Sequence, residues 1–248
     1  MYDVFIGVIS HKIYNFSIMS GFYPILVGSR FENNKDYILD SNLDNISNKN
    51  KNYCELTGMY WIWKNVKSDI KGLVHYRRYL KKHFLSTKII GEDSIKTIMQ
   101  NYDIILPVPR VYPFSSVEIH YKNSHNFSDL MQLRFVVSEL SPDYLEDFDN
   151  FFEGSHLSLF NIIIAKAEIY DQYCSWLFPI LFKLESKLNL TAYDSYQTRV
   201  IGFLGERLLN VWIRHNKIQY RIKYLPVFHA ENFSYTKKLI NYIKKTYL

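Results

Sequence analysis

The chain has 248 residues, 48% of them hydrophobic and 17% aromatic, with a formal net charge of +6 and a pI near 9.0. That length fits one large domain with a sizeable core, or one domain with a helical appendage, and the charge leaves three partner classes open: nucleic acid, an anionic membrane surface and phosphorylated small molecules. Cys54 and Cys174 are far apart without CxxC spacing, which argues against a disulfide framework or zinc site and fits a reducing compartment, and no stretch reaches the ~18 uninterrupted apolar residues of a membrane span.

Residues 2–9 read as a strand ending in Ser10-His11-Lys12; the apolar run is too short for a secretory signal and lacks a basic start. A second short strand, Tyr23 to Val27, stops at Gly28. The polar, Asn-rich stretch from Asn33 to Asn52 is longer than an ordinary connection and is expected to be a functional loop. Residues 55–66 read as an aromatic helix and 71–76 as a buried strand that delivers His75, Tyr76, Arg77 and Arg78 at its carboxyl end. Helix 92–101 follows, with Asp93 or Ser94 as its cap, and then the strand Tyr102 to Pro107, stopped by Pro107 and Pro109.

Ser115 to Phe152 is helical in pattern, with Pro142 at a helix start. Leu157 to Ala165 reads as a strand, Glu168 to Leu188 and Tyr196 to His215 as helices, and Ile222 to Val227 as a closing strand. Strands separated by helices predict an α/β fold with a mostly parallel central sheet. After a domain spanning residues 1–233, residues 234–248 place Leu239, Ile240, Ile243 and Tyr247 on one helical face and Lys237, Lys238, Lys244 and Lys245 on the other. That predicts a basic amphipathic helix, suited either to an anionic membrane or to docking on the core.

In an open α/β sheet, ligands lie beyond the carboxyl ends of the strands, which puts His75, Arg77 and Arg78 in a crevice. Two adjacent guanidiniums suit an anionic group such as a diphosphate. His11 and Lys12 end the first strand in the same relative place. Asp44, Asn45, Asn52 and Glu55 suit a ribose or uracil edge, or serve as ordinary turn and cap residues. Phe160 and Asn161 are acceptor-side candidates. Asp194 and Glu206 are candidate general bases, with a helix cap and a surface pair with Arg207 as the plainer readings. The literal DxD at Asp147-Phe148-Asp149 falls in an acidic amphipathic helix and reads as a solvated face, so no metal ligand is assigned. His120 and His125, five apart, do not share a helical face and are discounted as a metal pair. No P-loop, dinucleotide-binding, zincin or nucleophile-elbow motif occurs.

Asp44 to Ser47, Asn52 to Gly58, Tyr60 to Asn65, His75 to Tyr79, Tyr102 to Pro107, Trp176 to Leu181 and Gly202 to Leu209 together resemble one family. It comprises bacterial capsular and exopolysaccharide glycosyltransferases whose domain was long labelled as of unknown function, some assigned as UDP-galactofuranose-dependent galactofuranosyltransferases. The resemblance covers nearly the whole chain and implies a GT-A-like fold, inverting transfer from a UDP-sugar donor and an acceptor carried on undecaprenyl diphosphate. Cysteine usage and the basic tail suit a cytoplasmic protein that can sit peripherally on the inner face of the plasma membrane. His11, Lys12, Gly28, Asp44, Asn45, Asn52, Glu55, His75, Arg77 and Arg78 would hold the nucleotide-sugar, and Phe160, Asn161 and Arg199 the acceptor. Relatives tend to carry Asn-Met where this chain has Asn161-Ile162, an apolar exchange expected to tune packing. Arg77 and Arg78 stand where a GT-A enzyme usually carries its DxD, so they are read as replacing the metal, with Mn²⁺ or Mg²⁺ dependence as the alternative. The rival classes are a nucleic-acid-binding protein, which predicts a contiguous basic stripe that the dispersed lysines do not form, and a non-catalytic glycan-binding module.

Overall fold

The computed structural model describes residues 2–17, 19–28 and 35–230. The expected amphipathic helix at 234–248 lies outside the described residues. Strands β1 (Val4–Ser10), β2 (Phe22–Leu26), β3 (Ile38–Leu39) and β4 (Ile70–His75) run parallel, with β1 between β2 and β4. A tight turn after β4 leads into β5 (Arg78–Leu80), and β6 (Ile104–Pro107) and β7 (Arg110–Val111) follow after a single helix. Then come β8 (His156–Leu157), β9 (Ile163–Lys166), β10 (Ile222–Leu225) and β11 (Val227–His229). The main sheet has the order β10-β6-β9-β4-β1-β2-β3. Only β9 on this path runs against its neighbours, β4 and β6, so the sheet is mostly parallel, as expected.

Strands in such a sheet are buried on both faces and read as near-continuous apolar runs, as Phe-Ile-Gly-Val-Ile and Gly-Leu-Val do. Successive side chains alternate between two cores. Ile9, Leu73, Ile104 and Ile163 face one cluster, while Val8, Val74, Ile105 and Ile164 face the other. The first cluster receives α1 (Asn50–Tyr53), α2 (Leu56–Asn65), α4 (Val117–Lys122), α5 (Phe127–Leu140), α6 (Leu145–Glu153), α7 (Ala167–Glu185) and α8 (Val200–Asn216). The second receives α3 (Glu92–Met99) through Ile95 and Met99. Much of the aromatic content belongs to this packing: Tyr53, Tyr170 and Tyr173 are fully buried, and Trp63 stacks on Phe178 at 5.6 Å. Gly72 permits the closest approach, because a Cβ there would stand 2.7 Å from the Ile163 carbonyl oxygen on antiparallel β9.

Three expected elements differ. The single strand expected at 157–165 is two, β8 and β9, separated by a turn at Phe160 and Asn161 whose φ angles are 78° and 52°. No extended strand passes through two consecutive left-handed residues. Helix α3 takes Gly91 as its N-cap, not Asp93 or Ser94, which lie inside its first turn. The last long helix starts at Val200, after a 3₁₀ turn over Gln197–Arg199.

Candidate active site

Beyond the carboxyl end of β4, His75 pairs with Arg78 across the turn at Tyr76 and Arg77. The returning strand β5 is held from its other side by β11, in the register Val227 to Leu80 and His229 to Arg78, and the Ala230 N–H donates to the Arg77 carbonyl at 3.0 Å. Backbone pairing therefore fixes the segment that carries both guanidiniums.

This segment walls a cavity of about 660 Å³. Arg77, Arg78, Arg110, Arg199, Arg207 and Lys51 line it, against two carboxylates, Glu55 and Glu206. Six fixed cations facing two anions make the cavity a site for a negatively charged ligand, and its volume lies within the roughly 300–1,000 Å³ usual for ligand sites.

The left-handed turn at Phe160 and Asn161 forms one wall and gathers four distant side chains. Glu206 Oε1 accepts the Phe160 N–H, and His75 Nε2 donates to the Phe160 carbonyl at 2.7 Å. Asn161 Nδ2 donates to Glu55 Oε1 at 2.8 Å and to the Gly202 carbonyl at 3.3 Å. The Arg78 guanidinium lies 4.2 Å from the centre of the Phe160 ring. Burial pushes the His75 pKa down, against the opposing pull of Glu55, so the neutral ring carries its proton on Nε2. Burial, then the adjacent Arg77, also lowers the Arg78 pKa, a strain that a bound anion would relieve.

Glu206 and Arg207 are not the exposed pair of the plainer reading. Their side chains are 15% and 3% exposed, with Glu206 Oε2 3.0 Å from Arg207 Nη1. Arg207 also donates to the Phe203 carbonyl at 2.8 Å and lies 5.2 Å from the Tyr121 ring. Burial raises the Glu206 carboxyl above its ordinary pKa, with Arg207 and the Phe160 N–H acting in the opposite sense. Such a group takes up a proton more readily than a solvated carboxylate.

The structure brings His11, Glu55, His75, Arg77, Arg78, Phe160, Arg199 and Glu206 to the cavity wall, with Asn161 behind it. The other candidates stand outside that wall. Lys12 lies 5.2 Å from the Tyr76 ring, and the Gly28 N–H donates to Asp40 Oδ1 at 2.9 Å. Asn52 Nδ2 donates to the Thr198 carbonyl at 2.8 Å. Asp44 accepts the Tyr60 hydroxyl at 3.2 Å, and Asn45 closes a turn by accepting the Ser47 N–H at 3.1 Å. Asp194 Oδ1 accepts the N–H groups of Tyr196 and Gln197 at 2.8 and 2.7 Å, closing a turn ahead of the 3₁₀ segment; the N-cap of α8 is Arg199.

Sequence reasoning missed Arg110, Tyr112, His120 and His125, which also line the cavity. Arg110 follows the buried strand β6 just as Arg77 follows β4, so the same strand-end signal was present there. The histidines had no such signal: His125 is placed by long-range packing on Phe203, 4.3 Å away. Cys54 also lines the cavity, but burial, and next Glu55, push its thiol to about 11, which leaves it a poor nucleophile.

Among the described residues no group of three or more His, Cys, Asp and Glu side chains is disposed to hold a metal, and both cavity carboxylates stand among guanidiniums. The DxD on α6 is spent on ion pairs: Asp149 takes Arg134 in bidentate fashion at 2.7 and 2.6 Å, and Asp147 takes Arg214 at 3.2 Å.

A mostly parallel sheet with a cationic crevice beyond its strand ends defines an α/β protein with a strand-end site for an anionic ligand. The solved apo structure of WbbM, a bifunctional glycosyltransferase, matches with a TM-score of 0.84 and 28% identity, over 93% of this chain and 46% of that one. That match shows a GT-A-like fold, and the chain spans less than half the length of that structure. Residues 5–217 match the family described as "Domain of unknown function (DUF4422)", and the chain belongs to it. A probable capsid protein 3 of Acanthamoeba polyphaga mimivirus is 22% identical over 164 residues, 63% of this chain and 8% of that protein.

Proposed function

We propose that this chain is an inverting, metal-independent glycosyltransferase that moves galactofuranose from a UDP donor to a lipid-linked glycan in capsule, exopolysaccharide or O-antigen synthesis. The observation that carries the reading is the meeting of Arg77 and Arg78 with the largely buried Glu206 in one cationic cavity beyond the end of a parallel strand. The similarity to a glycosyltransferase structure supports the reaction class, and the resemblance of the ordered motifs supports the donor and acceptor.

Glu206 takes the proton from the acceptor hydroxyl. The acceptor oxygen bonds to the anomeric carbon from the face opposite the diphosphate, and the bond from that carbon to the diphosphate oxygen breaks. Arg77 and Arg78 neutralise the charge that builds on the departing UDP. A carboxylate offers about four lone-pair sites, and the Phe160 N–H and Arg207 occupy two of those on Glu206. Glu55 has a different task, holding Asn161 and with it the turn.

Thermal unfolding with UDP, UDP-galactopyranose and UDP-galactofuranose, each with EDTA and with Mn²⁺, tests the reading. Ligands that bind only the native state raise the melting temperature by mass action. The largest rise is expected with UDP-galactofuranose in EDTA. A rise only with Mn²⁺ would remove the arginine-for-metal reading, and no rise with any nucleotide would remove the donor assignment. In a transfer assay Glu206→Gln is expected to lower kcat by roughly 10²–10⁴-fold.

A further inference from the structure

Beyond β5 the chain forms a small hairpin between Lys81 and Ile89, which face each other in an antiparallel bridge. Its base is buried through Leu80 and Ile90, joined by an Ile90 N–H to Leu80 carbonyl bond of 2.9 Å. Its tip is internally tied. Lys81 Nζ donates to the Phe84 carbonyl at 2.6 Å, the Ser86 N–H donates to the His83 carbonyl at 3.0 Å, and the Lys88 N–H donates to Ser86 Oγ at 3.1 Å. This ordered tip presents Phe84 at 71% and Leu85 at 91% exposure, flanked by exposed Lys82, His83 and Lys88. The other large exposed apolar residues among those described stand singly in the sequence. A lone exposed apolar side chain is ordinary on a folded protein; an adjacent pair held out on a tied tip is a surface built to be covered.

We propose that this hairpin docks the protein on an anionic lipid bilayer, with Phe84 and Leu85 entering the interface and Lys82 and Lys88 at the level of the phosphates. The chemistry favours lipid over an acidic protein partner. A two-residue tip protruding from a hairpin would need a matching pocket on a protein, whereas acyl chains accept it without complementary shape. Lysines on both sides of the apolar pair match the surface charge of an anionic leaflet. The hairpin also continues β5, whose first residue, Arg78, lies in the cavity wall. Phe84 is six steps along the chain from Arg78, so at about 3.3 Å per residue the cavity wall and the inserted tip are at most roughly 20 Å apart. Docking there would hold the cavity near the bilayer surface. The proposal goes beyond the glycosyltransferase reading, and its test uses no activity measurement.

The test is co-sedimentation of the full chain with vesicles of phosphatidylglycerol and phosphatidylethanolamine, and with vesicles of phosphatidylcholine alone. Two variants are compared, Phe84→Ser with Leu85→Ser, and Lys82→Glu with Lys88→Glu; these exposed positions should leave the melting temperature unchanged. The wild type is expected to bind the anionic vesicles and not the zwitterionic ones. Loss of the apolar pair should weaken partitioning by at least roughly tenfold, and the charge reversal by roughly 25-fold or more, since each lysine near an anionic surface contributes about fivefold. Two results would overturn the proposal: a wild type that stays in solution with anionic vesicles, or apolar-pair and charge variants that both sediment as the wild type does. The second would move the contact elsewhere in the chain.

Discussion

Replacing Arg207 with Met removes the cation from beside Glu206 while keeping much of its volume. The two groups are 3.0 Å apart and both largely buried, so Glu206 is left with the Phe160 N–H as its remaining hydrogen-bond donor. Breaking a buried ion pair by removing one partner costs about 3–5 kcal/mol. For a domain of this size each kcal/mol lowers the melting temperature by about 2–4 °C, so a fall of roughly 6–20 °C is expected. The double variant, Glu206→Gln with Arg207→Met, leaves no uncompensated charge, and Gln still accepts the Phe160 N–H through its amide oxygen. It should recover at least about 2 kcal/mol relative to Arg207→Met, which a four-protein cycle in urea at pH 7 would measure. The pH dependence has a fixed sign. Glu206 has a folded pKa raised by burial, so its contribution to stability is fully present below its unfolded pKa and is lost as pH rises through the folded value. Arg207→Met raises it further, so that variant should regain stability against the wild type on acidification from pH 7. A loss below about 1 kcal/mol for the single variant, or no recovery in the double, would refute this reasoning.

Gly72→Ala should cost about 1–3 kcal/mol, because its Cβ would meet the Ile163 carbonyl oxygen at 2.7 Å and the Ile164 Cα at 2.9 Å. Both obstacles are backbone, and unchanged stability in urea would show that β4 and β9 have room to part. Asp103 ties β10 to the sheet by accepting the Arg221 N–H at 2.9 Å and Lys166 Nζ at 2.6 Å. Burial alone would raise its pKa, but the hydrogen bonds from Arg221 and Lys166 outweigh burial and hold the carboxyl well below the usual range. Its stabilisation is therefore present above the unfolded pKa and lost as pH falls through the folded one. Asp103→Asn should cost about 1.5–3 kcal/mol at pH 7, with the gap from the wild type narrowing below about pH 4. A gap that stays constant with pH would exclude the charge as its source.

Arg77 and Arg78 are readable from the sequence because Gly72-Leu73-Val74 is a short, wholly apolar run, and a buried parallel strand must end where solvent or ligand begins. The reversal of β9 is not readable, since alternation along a strand is the same in either direction and the helical stretch from 115 to 152 can return the chain either way. The break at Phe160 is hidden for a related reason: Phe rarely takes a φ of 78°, and it is contacts with other elements, Glu206, His75, Arg78 and His229 among them, that hold it there. Asp44, Asn45 and Asp194 illustrate a chemical ambiguity, because the oxygens that suit a ribose also suit turns and helix caps. Arg207 did leave a sign: it sits in α8 among Leu204, Leu208 and Leu209, and a charge flanked by core residues on a helix calls for a buried partner.

The central claim is that Arg77 and Arg78 hold a nucleoside diphosphate without a metal. Isothermal titration of UDP into the wild type and into the Arg77→Ala, Arg78→Ala variant, both in EDTA, tests it most directly. Saturable binding to the wild type is expected, weakened at least roughly 100-fold in the variant, since each lost hydrogen bond to a charged group costs about 1.5–3 kcal/mol. Equal affinity in the two proteins, or binding by the wild type only after Mn²⁺ replaces EDTA, would contradict it.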